Sequence, residues 1–202
     1  TEITRKVKSL TIIIRSYTFG DVDGTKVMLD QNKKRIFDLP KIEYTLRTIK
    51  SVIKSCEIAK EFFKDVGIKI VITDDKSSKE NLDKIDQVLK ASNLKTELIN
   101  LKENEFNDQI KTIDTEGKDI SKNMVSNMRN LFKSIEIAET EDTDLFYFLE
   151  DDYIHTKEAI TEMLFTYEKI SSQLNQELFL CPADYPYLYS SIDNSKIFFG
   201  NM

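Results

Sequence analysis

Three carboxylates, Glu150, Asp151 and Asp152, directly follow an uninterrupted apolar run, Leu145–Leu149. Such a run is typical of a strand buried on both faces, as in a parallel sheet. The carboxylates then fall at the carboxyl end of the strand, where ligands bind in open α/β sheets. Adjacent carboxylates repel one another and are costly to desolvate unless a cation offsets their charge. A divalent metal carrying a phosphate would supply that cation, and a solvated acidic loop is the simpler alternative.

Polar residues also follow two earlier apolar segments. The first segment, Leu10–Ile14, ends in Arg15, Ser16 and Tyr17. The second segment, residues 68–73, ends in the pair Asp74 and Asp75. If these segments are parallel strands, their carboxyl ends meet at one edge of the sheet. The sequence therefore predicts that three polar strand ends flank one cleft.

Segments with helical spacing alternate with these apolar runs. The predicted strands are 10–14, 68–73, 96–101, 145–149 and 178–181. The predicted helices are 40–63, 78–91, 120–138 and 157–174, with Thr156 as the N-cap of the last. The apolar stripe of the third helix is expected to face the core and contains Met124, Met128, Leu131, Ile135 and Ala138. This alternation favours an α/β fold, with helices packed against a mostly parallel sheet.

Length and composition limit the class of protein. A chain of 202 residues with 40% hydrophobic residues is long enough for one domain, 1–202, with a core of its own. The net charge of −6 argues against nucleic acid as a partner. No transmembrane segment or signal peptide is visible, and Cys56 and Cys181 are read as buried free thiols of a cytoplasmic protein. Residues 197–202 resemble the start of a strand, so the natural chain is expected to continue.

Several common catalytic motifs are missing from the sequence. No glycine-rich phosphate loop follows the first predicted strand, and no Gly-x-Ser-x-Gly elbow is present. His155 is the single histidine. Carboxylates, hydroxyls and an aromatic ring remain, and these suit a nucleoside diphosphate that is bound through a metal.

The three strand ends together resemble the GT-A glycosyltransferases, in particular the inverting group that uses nucleotide sugars. In that group the first strand ends in a Ser/Thr-x-Tyr-like turn, the second in Asp-Asp-Gly-Ser, and a later strand in Asp-x-Asp. Here the corresponding segments are 15–17, 74–77 and 150–152, in the same order along residues 10–180. Lys76 stands where the family has glycine. The resemblance implies a GT-A-like three-layer α/β/α sandwich.

The resemblance also implies roles at the nucleotide. Tyr17, after Arg15 and Ser16, would stack on the base, and Asp74 would accept a hydrogen bond from the imide of uracil or thymine. Asp75 would face the ribose. The alternatives are a half-buried aromatic at Tyr17 and a turn-capping carboxylate at Asp74.

By the same resemblance, Asp152 would bind Mn²⁺ or Mg²⁺, and Glu150 and Asp151 would hold metal-bound waters or the ribose. His155 is a further metal or diphosphate contact, or else a residue at a helix start that makes one backbone hydrogen bond. The polar residues of the preceding helix either line the nucleotide site or form a solvated face, which the pattern favours; they are Lys122, Asn123, Asn127 and Arg129.

An inverting transfer also needs a base that takes a proton from the acceptor hydroxyl. Asp184 is predicted to be this base, with a turn residue between two prolines as the alternative. The partners implied are a nucleotide-sugar donor, of UDP or dTDP type, and an unidentified glycan, lipid or protein acceptor. Two other functions stay open: a sugar-phosphate nucleotidyltransferase, and a domain of the same fold that binds a nucleotide or sugar without catalysis.

Overall fold

The computed structural model describes residues 2–18, 39–113 and 117–182. Strands and helices alternate along these residues. The strands are β1 (Ser9–Ser16), β2 (Gly67–Asp74), β3 (Lys95–Asn100) and β4 (Leu145–Glu150). The helices are α1 (Lys41–Phe62), α2 (Lys79–Lys90), α3 (Lys122–Thr140) and α4 (Ala159–Leu174). The α/β class and the elements predicted around residues 10–14, 40–63, 68–73, 78–91, 96–101, 120–138, 145–149 and 157–174 are confirmed.

The four strands form one parallel sheet in the order β3-β2-β1-β4. Ser16 pairs with Asp74, and Arg15 pairs with Glu150. The first two connections step from β1 to β3 in one direction, and the third returns to place β4 on the other side of β1. Because the direction changes there, the carboxyl ends of β1 and β4 border the crevice in which ligands bind in open α/β sheets.

The two faces of the sheet pack against different helices. Ile12 and Ile14 belong to the larger apolar cluster, which contains buried residues of α1, α2 and α4. Ile13 belongs to a smaller cluster with Val71 and with Ile137 of α3. Crossovers between parallel strands are right-handed, so reversing the direction of the connection places α3 on the opposite face. The sheet therefore carries helices on both sides, while the assignment to the GT-A fold stays a prediction.

The outermost strand is less buried than its sequence predicts. In β4 only Leu149 is buried, and Phe148 keeps 47% of its surface exposed. Strand β4 pairs with β1, and no other described strand pairs with it. Helix α3 packs mainly on β1 and β2, so it leaves the outer face of β4 partly open. The expectation that this strand is buried on both faces is therefore wrong.

Two further local expectations are also wrong. Residues 178–181 do not form a strand, and Cys181 is exposed although Cys56 is buried. Helix α4 begins at Ala159, after Glu158, so Thr156 is not its N-cap. None of the described helices is long and apolar enough to cross a bilayer.

Ser78, the first residue of the predicted second helix, is the N-cap of α2. Its side chain accepts a hydrogen bond from the backbone N–H of Asn81. We expect Ser78→Ala to lower the free energy of unfolding by about 1 kcal/mol, because one N–H of the first turn loses its acceptor. Ser78→Asp keeps an acceptor and should unfold at the same urea concentration as the parent. Equal losses in both variants would contradict the assigned cap.

Candidate functional site at the carboxyl edge of the sheet

The ends of β1 and β4 are joined by an ion pair. The Arg15 guanidinium donates to Glu150 Oε1 at 2.6 Å and to Asn127 Oδ1 of α3 at 3.1 Å. Arg15 is largely covered, and the Glu150 side chain is 46% exposed. The geometry links two of the predicted strand ends to the amino-terminal half of α3. It also gives Glu150 a cation from within the chain.

Asp151 is the most connected carboxylate of the edge. Its Oδ1 accepts from Lys41 Nζ at 2.6 Å, and its Oδ2 accepts from the Thr45 hydroxyl at 2.7 Å. The backbone N–H of Tyr17 also donates to Oδ2, at 3.3 Å. Asp151 is buried, so these donors replace the water that its charge requires. One side chain thus connects the ends of β1 and β4 to the first turns of α1.

Asp74, at the end of β2, lies at the end of a chain of hydrogen bonds. The backbone N–H of Ser77 donates to Asp74 Oδ1 at 3.0 Å, and the Ser77 hydroxyl donates to Oδ2 at 2.6 Å. Ser77 Oγ in turn accepts from the backbone N–H and the hydroxyl of Thr18. Asn81 of α2 donates to that Thr18 hydroxyl at 2.9 Å. The segment after β1 is therefore tied to the turn after β2.

Burial raises the pKa of Asp74 from 3.8 to about 6, because the side chain is fully enclosed. Hydrogen bonds from Ser77 and Ser16 oppose this increase, and the negative charge of Asp151 adds to it. The Ser16 hydroxyl is close enough to act on Asp74, yet its Oγ lacks a hydrogen bond of ordinary geometry. Ser16 therefore contributes a buried hydroxyl that is poorly satisfied beside Asp74.

Asp75 forms a buried ion pair with Arg129 of α3. The two side chains are each 3% exposed, and Arg129 Nη1 lies 3.2 Å from the carboxylate. The Ser126 hydroxyl donates to Asp75 at 2.6 Å, and the guanidinium also donates to the carbonyl oxygens of Lys102 and Glu105. The pair of Asp75 and Arg129 therefore holds α3, and also the loop that follows β3, against the end of β2. The ribose role predicted for it stays a prediction, but its oxygens already have partners here.

Helix α3 turns polar side chains towards the sheet. Its buried positions are Ser126, Arg129, Asn130, Ser134 and Ile137. The stripe expected to face the core is instead partly exposed: Met124 is 39%, Leu131 43% and Ile135 44% exposed. The expectation of a buried apolar stripe is therefore wrong. The expected solvated face is wrong for the buried Arg129 and correct for Lys122, which is exposed. The spacing of apolar residues suggested that the apolar face of α3 packs on the sheet. The polar face packs there instead, because the polar ends of the strands need hydrogen-bond donors and acceptors.

Tyr17 lies between β1 and α3. Its hydroxyl donates to Asn123 Oδ1 at 2.7 Å, and the side chain is half-buried. Burial raises the pKa of Tyr17, and the nearby charge of Asp75 raises it further. The phenol is therefore neutral over the physiological range, and its ring is held at the edge of the crevice. The predicted stacking on a base is compatible with this position.

The predicted metal ligands differ in how accessible they are. Asp152 is exposed, and no described residue forms a hydrogen bond or ion pair with it. His155 Nε2 is 2.9 Å from the Tyr147 hydroxyl, and Nδ1 is 3.1 Å from the Tyr153 carbonyl. Burial lowers the pKa of His155. A neutral ring that donates from Nδ1 and accepts at Nε2 satisfies both contacts, so His155 has a structural position.

No three His, Cys, Asp or Glu side chains within residues 2–18, 39–113 and 117–182 are grouped so as to hold a metal. Mg²⁺ commonly binds one or two carboxylates and takes its other oxygens from water and substrate phosphates. Asp152 is exposed, and Glu150, two residues before it, is partly exposed and paired with Arg15. A closed cage made by protein ligands alone does not fit the described residues.

Lys41, Thr45 and Ser77 were not predicted as site residues. Lys41 directly follows Pro40, at the first position of α1, and no sequence motif marks its pairing with Asp151. Ser77 occupies the serine position of the Asp-Asp-Gly-Ser pattern, which was a usable signal. The predicted base, Asp184, lies outside the described residues.

The pKa of Asp74 predicts a specific dependence of stability on pH. The folded protein binds more protons than the unfolded chain between pH 3.8 and about 6. The contribution of Asp74 is therefore greatest at low pH and is lost as the pH rises through about 6. A shift of this size corresponds to about 3 kcal/mol. We expect Asp74→Asn to remove this decline, relative to the parent, in urea titrations at pH 4, 5, 6 and 7. Asp83→Asn, on an exposed position of α2, controls for the lost charge.

Removing one partner of the buried Asp75–Arg129 ion pair should strongly lower the free energy of unfolding. Arg129→Met leaves Asp75 charged and enclosed, so it should lower the free energy of unfolding by about 3–5 kcal/mol. Asp75→Asn combined with Arg129→Met leaves no buried charge and should recover much of that loss. Chemical denaturation of the two variants measures the difference. A double variant no more stable than Arg129→Met alone would contradict the charge-pair explanation.

Comparison with known proteins places the chain in no family. No family model matches it, no curated protein matches it, and no solved structure matches it.

Proposed function

We propose that the chain binds a nucleoside diphosphate sugar, of UDP or dTDP type, at the carboxyl edge of the sheet and transfers its sugar to an acceptor hydroxyl. The observation that carries the proposal is the convergence of the polar ends of β1, β2 and β4 at the point where the strand order reverses. This crevice is the ligand site of open parallel sheets. The sequence resemblance to GT-A enzymes concerns these same strand ends.

Each side of the crevice offers a different contact. The Tyr17 hydroxyl is held by Asn123, and the ring would supply an aromatic surface for a base. Asp74 lies at the end of the neighbouring strand, with Ser77 on its carboxylate. A base imide would need to approach Asp74 past this turn. Arg15 lies next to Glu150 at the β1–β4 border and supplies positive charge near the crevice.

Asp152 is the carboxylate best placed to meet a metal–diphosphate, because it is exposed and follows the buried Asp151. A bound Mn²⁺ or Mg²⁺ would neutralise charge on the departing diphosphate. The acceptor hydroxyl, on a glycan, a lipid or a protein, would still require a base, for which Asp184 is the proposal.

Binding without transfer is the second candidate function. It is favoured by the number of carboxylates at the edge that already have cationic partners: Glu150 with Arg15, Asp151 with Lys41, and Asp75 with Arg129. A domain of this kind would bind a nucleotide without a metal. Slow or absent hydrolysis of UDP-glucose, UDP-galactose and UDP-N-acetylglucosamine, with intact UDP binding, would favour it over the transferase.

Nucleotide binding is tested by thermal melting with UDP, dTDP, CDP, GDP and ADP, each with and without Mn²⁺. A ligand that binds only the folded state at a hundred times its Kd stabilises the protein by about 2.7 kcal/mol. We expect UDP or dTDP with Mn²⁺ to raise Tm most. Tyr17→Ala should reduce the increase with or without the metal, because it removes the stacking surface.

The metal contribution is isolated by Asp152→Ala, which should weaken Mn²⁺-dependent UDP binding by about tenfold or more, since ligand charge sets affinity. Asp142→Ala is the matched control, because Asp142 is also exposed but lies before β4, at the opposite edge. Equal UDP–Mn²⁺ affinity in the parent and Asp152→Ala would refute the metal assignment. If none of the nucleotides raises Tm, the proposed nucleotide site is refuted.

A further inference from the structure

A chain of hydrogen-bonded side chains joins the segment after β1 to the turn after β2. The Asn81 amide donates to the Thr18 hydroxyl at 2.9 Å, and that hydroxyl lies 2.7 Å from Ser77 Oγ. Ser77 Oγ lies 2.6 Å from Asp74 Oδ2 and accepts from the backbone N–H of Thr18 at 3.0 Å. Asp74, Thr18 and Asn81 are buried, so water offers them few alternative partners.

The negative charge of Asp74 fixes the direction of every hydrogen bond in this chain. A carboxylate only accepts hydrogen bonds, whereas a hydroxyl has one hydrogen to donate. Ser77 therefore gives its hydrogen to Asp74, and the Thr18 hydroxyl gives its hydrogen to Ser77. The Asn81 amide then donates to the Thr18 oxygen. While Asp74 is charged, each hydroxyl of the chain has both a donor and an acceptor.

Protonation of Asp74 would disturb this order. A protonated carboxyl oxygen becomes a donor, and hydrogen bonds to a neutral acceptor are about half as strong as those to an ionised one. Both bonds that Ser77 makes to Asp74 would weaken. The Ser16 hydroxyl beside Asp74 is fully buried and has no hydrogen bond of ordinary geometry. It is therefore a partner outside the chain for the protonated carboxyl group.

The chain holds two consecutive residues after β1. The backbone N–H of Thr18 donates to Ser77, and the backbone N–H of Tyr17 donates to Asp151 at 3.3 Å. These bonds attach neighbouring peptide groups to the turn after β2 and to the end of β4. Weakening the bond to Ser77 would loosen the attachment on the Thr18 side and, with it, the backbone next to Tyr17.

The charged groups around Asp74 leave its own proton as the controlling event. Asp151, after β4, opposes the ionisation of Asp74 and is paired with Lys41 of α1. The neighbouring Asp75 is paired with Arg129 of α3. The remaining charged residues of the turn and of the start of α2 are exposed, so solvent screens them; they are Lys76, Lys79 and Glu80.

We propose that Asp74 is a proton-controlled switch for the segment that follows β1. As a carboxylate it holds Thr18 through Ser77, and on taking up a proton it turns to Ser16 and loosens Thr18. Protonation also removes the cost of burying a charge, so the fold as a whole gains stability while this one link weakens. The switch operates in the free protein and does not depend on a bound nucleotide.

The test follows the full chain by nuclear magnetic resonance between pH 7.5 and 4.5. The carboxyl carbon of Asp74 should report a pKa of about 6. Over the same range, the protection of the Thr18 amide against hydrogen exchange should fall by about tenfold, after correction for the intrinsic effect of pH. The reason is that the bond to an ionised group is lost and the backbone opens locally.

Three variants separate the charge from the link. Asp74→Asn keeps the shape of the side chain without its titration, so Thr18 protection should stay at the low-pH level of the parent at every pH. In Ser77→Ala, Asp74 should still titrate while the Thr18 amide no longer responds. Ser92→Ala is the matched control, because this hydroxyl bonds the Leu89 carbonyl at the other end of α2; the Thr18 response should persist in it.

An Asp74 carboxyl that titrates in the parent without any change at Thr18 would overturn the proposal. A Thr18 response that survives in Asp74→Asn would do the same. If Asp74→Asn does not fold, Ser77→Ala decides the question, since a response that persists there refutes the link through Ser77. Because no nucleotide is present, the result is independent of the nucleotide-binding experiment.

Discussion

The candidate site depends on the hydrogen bonds that the buried Asp151 carboxylate accepts. It is enclosed at the end of β4, and it receives donors from the segment after β1 and from the first turns of α1. A buried charge is tolerated only when several donors replace its water. The three groups that supply those donors are therefore held to one point. This constraint sets the relative position of two strand ends and a helix start, and so the shape of the crevice between them.

Charge compensation of this kind is repeated along the edge. Asp75 has Arg129 and Glu150 has Arg15, whereas Asp74 has hydroxyl and backbone donors but no cationic partner among the described residues. The absence of a cation explains why burial raises the pKa of Asp74. Compensated carboxylates mainly organise the fold, because their charge is already balanced within the chain. Asp152 differs from them, because it is exposed and none of the described residues forms an ion pair with it.

The packing of α3 follows from the same requirement. Its amino-terminal half meets polar strand ends, so Ser126, Arg129 and Asn130 face the sheet. Only near Ile137 does apolar packing with Ile13 and Val71 take over. The cost is that Leu131 and Ile135 stay partly exposed. The hydrophobic pattern of a helix thus gives the wrong inner face when the surface that it covers is rich in buried charge.

Local sequence was enough to place the elements from β1 to α3, because β-branched runs, Pro40, Ser78 and helical spacing act within a few residues. The sequence also places polar residues after β1, β2 and β4. Because parallel strands bring their carboxyl ends to one edge of the sheet, it predicts that these residues lie close together. Tertiary structure alone decided which carboxylates are neutralised. The partners Lys41 and Arg129 lie 110 and 54 residues from Asp151 and Asp75, and no local pattern encodes such distances. Burial of β4 was likewise decided by its position at the border of the described sheet, which depends on its neighbours and not on its own apolar residues.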